Sequence, residues 1–227
     1  MKNIIIVGGS KGIGNAIISS LIENHKIINI SRTPPPQTHV NLTHFQTDVI
    51  ADELPEIDSA DALIYCPGSI NLKPISRLSV NEFQADFELN VLGAVKAIQK
   101  YLPQLKQGNK PSIVLFSTVA TKLGMPFHAS VAVAKAGIEG LVKSLGAELA
   151  PTIRINAIAP TVTNTELASK LLRNDKMVES ITERHPLKKI LKPEEVAEMA
   201  VFLISEKAAS ISGQIFNMDN GIVSFKL

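Results

Sequence analysis

Val7-Gly8-Gly9-Ser10-Lys11-Gly12-Ile13-Gly14 joins an apolar strand to a helix, and that placement sets the fold. Before it, Asn3 to Val7 is a short apolar run stopped by glycines, the pattern of a buried strand. After it, Ile13 to Asn24 carries apolar residues at helical spacing. Gly8, Gly12 and Gly14 stand in the order G-x-x-x-G-x-G. Glycine permits a tight turn and a close backbone approach to a pyrophosphate. The helix start then offers unpaired N–H groups and a positive dipole end to the anion. Strand, turn and helix together predict a dinucleotide site held by Gly8, Ser10, Lys11, Gly12, Ile13 and Gly14. The plainer alternative is a glycine turn that binds nothing.

Outward from this turn, strand-like and helix-like segments alternate. Strands are expected over Lys26–Ile30, Leu42–Thr47, Ala62–Tyr65, Ser112–Phe116, Ile153–Ala159 and Gln214–Met218. Long helical patterns cover Val80–Leu105 and Ser130–Leu149, and Pro193–Ile204 begins with a proline suited to a first helical turn. Apolar strands alternating with helices imply α/β architecture: a Rossmann-type, doubly wound parallel sheet in three α/β/α layers. Pro34, Pro35 and Pro36 follow the second strand and cannot continue a helix, so a loop is expected there. Residues 1–227 read as a single domain. Residues 161–190 are polar and only partly helical, a candidate substrate lid.

The end of the second strand, Ser31-Arg32, bears on the type of dinucleotide. NAD sites usually place a carboxylate here for the ribose hydroxyls, and this chain has none. Arginine suits a 2′-phosphate through charge and paired hydrogen bonds, and Lys11 adds a second cation. NADP(H) is therefore favoured over NAD(H), although either cation could be an ordinary solvated one.

Composition narrows the partners. The 227 residues are 45% apolar and 19% charged, a globular mixture. A net charge of +2 gives no electrostatic reason for a nucleic-acid or membrane-surface partner. The run Ile4–Val7 is too short for a secretory core, and no window approaches the roughly 18 apolar residues that span a bilayer. Cys66 stands alone, so no internal disulfide can form, and a cytoplasmic setting is expected. No metal is expected.

Further motifs give the chain a family resemblance. It resembles the short-chain dehydrogenase/reductase family along nearly its whole length. The glycine turn is similar to T-G-x-x-x-G-I-G, with Val7 in place of threonine. Asp48-Val49 resembles the family's adenine-bordering pair, and Tyr65-Cys66-Pro67-Gly68 takes the place of N-N-A-G with only the glycine kept. Asn90-Val91-Leu92-Gly93 resembles N-V-x-G, and Ile113 to Thr118 resembles the strand bearing the catalytic serine. Asn156 to Pro160, Ser212-Gly213-Gln214 and Asp219-Asn220-Gly221 match later motifs. The resemblance implies an oxidoreductase. Its cofactor set would be the turn residues with Ser31, Arg32, Asp48, Val49, Cys66, Pro67, Gly68, Asn90, Lys135, Pro160, Val162 and Thr163. It also implies a homodimer or homotetramer, formed through the two long helices and the apolar C-terminal stretch Ile222–Phe225.

The catalytic carry-over from that resemblance is incomplete. Lys135 matches the lysine that binds the nicotinamide ribose, Asn90 the asparagine that holds a water, and Thr118, beside Ser117, the serine that orients substrate. Four residues before Lys135, where the family has its proton-donating tyrosine, stands Val131. His128, seven residues before Lys135, is the first substitute, at the spacing used by enoyl reductases of the superfamily. The alternative is an idle histidine in the loop before the helix. Tyr65 is the second substitute, with core packing as the alternative. Tyr101 reads as structural. Two functions follow: an NADP(H)-dependent reductase of a small conjugated C=C or carbonyl substrate, or a catalytically silent NADP(H)-binding sensor or scaffold.

Overall fold

In the computed structural model, which describes residues 1–225, seven parallel strands form one sheet. They are β1 (Asn3–Val7), β2 (Lys26–Ser31), β3 (Leu42–Gln46), β4 (Ala62–Tyr65), β5 (Ser112–Phe116), β6 (Arg154–Pro160) and β7 (Ile215–Met218), in the order β3-β2-β1-β4-β5-β6-β7. The helices are α1 (Gly12–Leu21), α2 (Val80–Phe87), α3 (Gly93–Gln107), α4 (Ala129–Glu148), α5 (Asp175–Arg184) and α6 (Pro193–Ile204).

Two-fold alternation along the strands feeds two cores. From β1, Ile5 and Val7 enter one core with Tyr101 and Leu105 of α3 and Ile138 and Val142 of α4. Ile4 and Ile6 enter the other with Ile17 and Leu21 of α1 and Val196 and Leu203 of α6. Burial on both faces is why these strands read as continuous apolar runs rather than alternating ones. The result is the expected doubly wound, three-layer α/β fold.

Winding runs outward from β1 to β3, then returns to β4 on the other side of β1. Crevices at such a reversal, outside the carboxyl ends of the strands, are where ligands sit in open α/β sheets. Here the reversal brings together Gly8 after β1, Cys66 to Ser69 after β4, Ser117 and Thr118 after β5, and Thr161 to Thr163 after β6.

The long helix expected from Val80 runs on to Gln107, with a π-helical turn, Glu88–Leu92, between α2 and α3. Asn90 Nδ2 donates to the carbonyl of Asp86 at 2.7 Å, so a side chain takes a helix carbonyl. Such bulges concentrate at functional sites. The loop expected around Pro34–Pro36 is present: no helix lies between β2 and β3. Among the described residues, no helix is long and apolar enough to cross a membrane, and no cluster of His, Cys, Asp or Glu could hold a metal.

Candidate active site

The glycine turn has the backbone its sequence demands. Gly8 has φ +80° and Gly12 has φ +53°, conformations that side chains disfavour. A Cβ on Gly14 would lie 2.3 Å from the carbonyl oxygen of Gly8, so the start of α1 packs directly on the end of β1. Lys11 caps α1 without a side-chain hydrogen bond, leaving the first N–H groups to a ligand. Gly8 also abuts the ring of Pro67, at 3.0 Å from its would-be Cβ, which joins the turn to the end of β4.

Behind the turn stands Asn29 of β2, fully buried. Its Oδ1 accepts from Gly9 N at 3.0 Å, and its Nδ2 donates to Ser31 Oγ at 2.9 Å. Ser31 thus acts from inside, fastening the end of β2, whereas Arg32 is exposed beside it. Lys11 lies in the turn but pairs with Glu166 at 2.8 Å, across to the segment after β6. Asp48 Oδ1 accepts from Ile50 N at 2.9 Å and so shapes its own turn next to buried Val49.

At the other end of the cleft, Gly68 is the meeting point. A Cβ there would lie 3.3 Å from Asn90 Oδ1 and 3.4 Å from Lys135 Nζ. The absence of a side chain at Gly68 therefore lets the lysine and asparagine converge. Asn90 is 1% exposed, and its Oδ1 is buried with no partner. Burial pulls the Lys135 ammonium down to about 8, opposed by the Cys66 and Asp86 charges. Both groups are short of polar partners where a ribose hydroxyl or a water would satisfy them.

Between these ends lies a mainly apolar cleft. Ile13, Cys66, Thr118, His128, Val131, Pro160, Val162 and Thr163 all line it, together with Leu167 and Leu171 from the segment after β6. Thr118 turns its Oγ1 to the N–H of Ala120 at 3.3 Å, capping a short helical turn. Ser117 instead points away and donates to Glu139 Oε1 at 2.7 Å. His128 caps α4, following Phe127, which is held at φ +70°. Its Nδ1 lies 2.8 Å from the carbonyl of Pro126 and is placed to donate to it. Neutral His128 then presents only a bare Nε2, so it would have to be an imidazolium to donate a proton.

Both tyrosines are structural. Tyr65 is 2% exposed and donates to the carbonyl of Leu89 at 2.6 Å, on the α3 side of the sheet. Burial raises its hydroxyl well above the usual range, so the alternative role considered for it in proton transfer has no geometry behind it. Tyr101 is fully buried and donates to the carbonyl of Pro55 at 3.0 Å. Burial pushes the Cys66 thiol up to about 12, which leaves it unreactive.

Sequence reasoning passed over Asn29, Ser69, Asp86, Glu139, Glu166 and His185. His185 is 3% exposed and holds Thr161, with Oγ1 to Nε2 at 2.7 Å, beneath the segment after β6. A strand asparagine and a charged helix residue carry no local sign of burial. The periodicity of α2 gave the one available hint for Asp86, since it stands four residues before Asn90.

Comparison with known proteins agrees with this fold. A family model described as enoyl-(acyl carrier protein) reductase matches residues 40–223. The chain belongs to the short-chain dehydrogenase/reductase family. A Thermotoga maritima 3-oxoacyl-[acyl-carrier-protein] reductase is 30% identical over 78% of this chain and 71% of that protein. A Synechocystis 3-oxoacyl-[acyl-carrier-protein] reductase is 29% identical over 99% of this chain and 88% of its own. Thermoplasma acidophilum aldohexose dehydrogenase superposes with a TM-score of 0.90 at 25% identity, covering 99% of this chain and 95% of that one. As a short-chain dehydrogenase/reductase, this chain is an oxidoreductase. Val131, buried in the cleft wall, is where it departs from the pattern that the resemblance implies.

Proposed function

We propose that the protein is an NADP(H)-dependent oxidoreductase acting on a small, largely apolar substrate, at a carbonyl or at a C=C conjugated to one. The observation that carries this reading is the convergence of Lys135 Nζ and the unpartnered Asn90 Oδ1 across Gly68, at the floor of an apolar cleft. A 4-hydroxyisoleucine dehydrogenase variant solved with NADH and succinate superposes with a TM-score of 0.89 at 25% identity over the whole of both chains. The names of the reductases above supply the two substrate types, 3-oxoacyl and enoyl. Exposed Arg32, with no carboxylate at the end of β2, favours the 2′-phosphate.

The bound dinucleotide supplies or accepts the hydride. The chain's own residues do the rest. Gly8 to Gly14 hold the pyrophosphate, Asp48 and Val49 border the adenine, and Lys135 binds the nicotinamide-side ribose. Cys66, Pro67, Pro160, Val162 and Thr163 wall the ring, and Thr118 orients the substrate oxygen. His128, when protonated, can donate at the outer end. Residues 161–190 act as the lid, hinged where Thr163 bridges Leu191. Exposed Phe87, Leu92 and Val133 on α2–α4 fit a homo-oligomer, which light scattering would reveal.

The test is a fluorescence titration with NADPH and NADH, followed by turnover with ketones, enones and quinones. We expect tighter NADPH binding, turnover with one class, and loss of that turnover in Lys135→Ala. A second reading, a silent NADP(H) sensor, is favoured by Val131 and by the sequestration of Tyr65 in the core. Tight binding with no turnover across the panel would select it. Failure to bind either dinucleotide would overturn both readings.

A further inference from the structure

Asp86 stands on α2 one helical turn before Asn90, and it is 4% exposed. Its Oδ1 accepts from Ser69 Oγ at 2.5 Å, and Ser69 Oγ accepts in turn from Asn90 Nδ2 at 3.0 Å. Asp86 Oδ2 is buried and has no partner. A buried carboxylate kept for structure has both oxygens satisfied, because burying a poorly supported charge is costly. This one is held by a single hydroxyl. That hydroxyl belongs to a residue lining the cleft, next in the chain after Gly68. Ser69 therefore touches substrate space on one side and the buried carboxylate on the other.

We propose that Ser69 and Asp86 are the proton relay of this cleft, with Ser69 exchanging a proton with the substrate oxygen and Asp86 storing it. The proposal rests on the oxidoreductase reading. In alcohol oxidation, the substrate O–H bond breaks and its proton passes to Ser69 Oγ. The proton already on Ser69 moves along the 2.5 Å hydrogen bond to Asp86 Oδ1. The substrate C–H bond breaks with its electron pair, which leaves as hydride to an oxidised nicotinamide dinucleotide, and the C=O bond forms. Carbonyl reduction runs the same steps backwards: hydride makes the C–H bond, and the C=O π pair takes the Ser69 proton. Ser69 recovers a proton from Asp86, which enters this direction as the carboxylic acid, and a proton from solvent returns it to that form.

Asn90 Nδ2 steadies the Ser69 oxygen in both directions. The charged group facing the pair is Lys135 from α4, which also faces the Cys66 thiol after β4. Glu82, earlier on α2, is occupied by Lys73, Asn71 and Ser79. The relay needs no residue at position 131.

The experiment measures NADPH turnover with ethyl acetoacetate, cyclohexenone and menadione, and NADPH affinity by fluorescence, in four proteins: the native chain, Ser69→Ala, Asp86→Asn and the double variant. We expect kcat to fall about tenfold or more in each single variant, with NADPH affinity within about threefold of native. The double variant should fall no further, because partners in one relay are not additive. Affinity for NADPH alone, followed against pH, should be lost at a lower pH in Asp86→Asn, since the carboxylate that raises Lys135 is gone. Single variants that keep kcat, or additive losses, overturn the relay and leave the oxidoreductase reading standing. A native chain that binds NADPH but turns over none of the three overturns both. If Asp86→Asn does not fold, the half-buried Ser69→Ala decides by its kcat against its NADPH affinity.

Discussion

Backbone builds the Gly8–Gly14 end of the cleft, whereas side chains from four separate segments build the Lys135 end. At the first, positive φ angles and the contact of Gly14 with the Gly8 carbonyl leave little freedom. At the second, Gly68 lets Lys135, Asn90 and, through Ser69, Asp86 assemble from α4, the π-helical turn, α2 and the loop after β4. The Gly8–Gly14 end keeps its three glycines, and the chemical end carries Val131 where the family resemblance implies a tyrosine. A site made of backbone fails as a unit when any part changes. A site made of side chains can exchange one proton donor for another, because several polar groups already converge there.

The largest effect should come from the backbone end. Gly14→Ala would drive a methyl to 2.3 Å from the Gly8 oxygen, where no flexible atom can yield. NADPH affinity should fall by about a hundredfold or more, since the pyrophosphate cradle is disrupted. Gly124→Ala, which meets nothing within 4 Å, is the control. Equal affinities in the two variants would break the contrast between the ends.

Lys135→Met tests the side-chain end, with an expected loss of NADPH affinity of about tenfold. The same variant has a second signature. In the folded protein Lys135 titrates at about 8, against 10.5 for an unperturbed lysine. Between those values the unfolded chain binds the extra proton, so native stability rises with pH through that window. Thermal melts of the cofactor-free protein should show this rise, and Lys135→Met should lack that contribution.

Val131→Tyr should raise ketone turnover about tenfold, about 1.4 kcal/mol of barrier. No gain would mean that the cleft has been reshaped around another donor. Arg32→Ala should weaken NADPH by about five- to tenfold and leave NADH unchanged, as expected for one charge-assisted contact. Equal losses for both would remove the 2′-phosphate from the reading. The smallest effect belongs to Glu166→Ala, which frees Lys11. An exposed ion pair of this kind is weak, so NADPH affinity should rise by no more than about threefold in the same titration.

Much of the fold was legible in the chain. β1, β4, β5 and α6 begin and end where apolar runs and punctuating residues place them, because each is buried on a predictable face. The π-helical turn at Glu88–Leu92 was not legible, since it turns on a side chain competing for a carbonyl rather than on apolar spacing. Asp86 was hard to see for a related reason: charged residues are seldom buried, and only its place four residues before Asn90 hints at an exception. Tyr65 is the opposite case, and core packing is what the structure shows. Its place at the end of β4 suggests the cleft, but its register with Leu63 sends the ring into the α3 core.

The sequence by itself determined the doubly wound sheet, the glycine turn and the valine at position 131, because those depend on local conformation, periodicity and residue identity. Only the tertiary structure decided which polar groups meet. Ser69, Asp86, Asn90 and Lys135 are brought together by strand order and by the room that Gly68 leaves. Lys135 titrates near neutrality because that same packing takes it out of water.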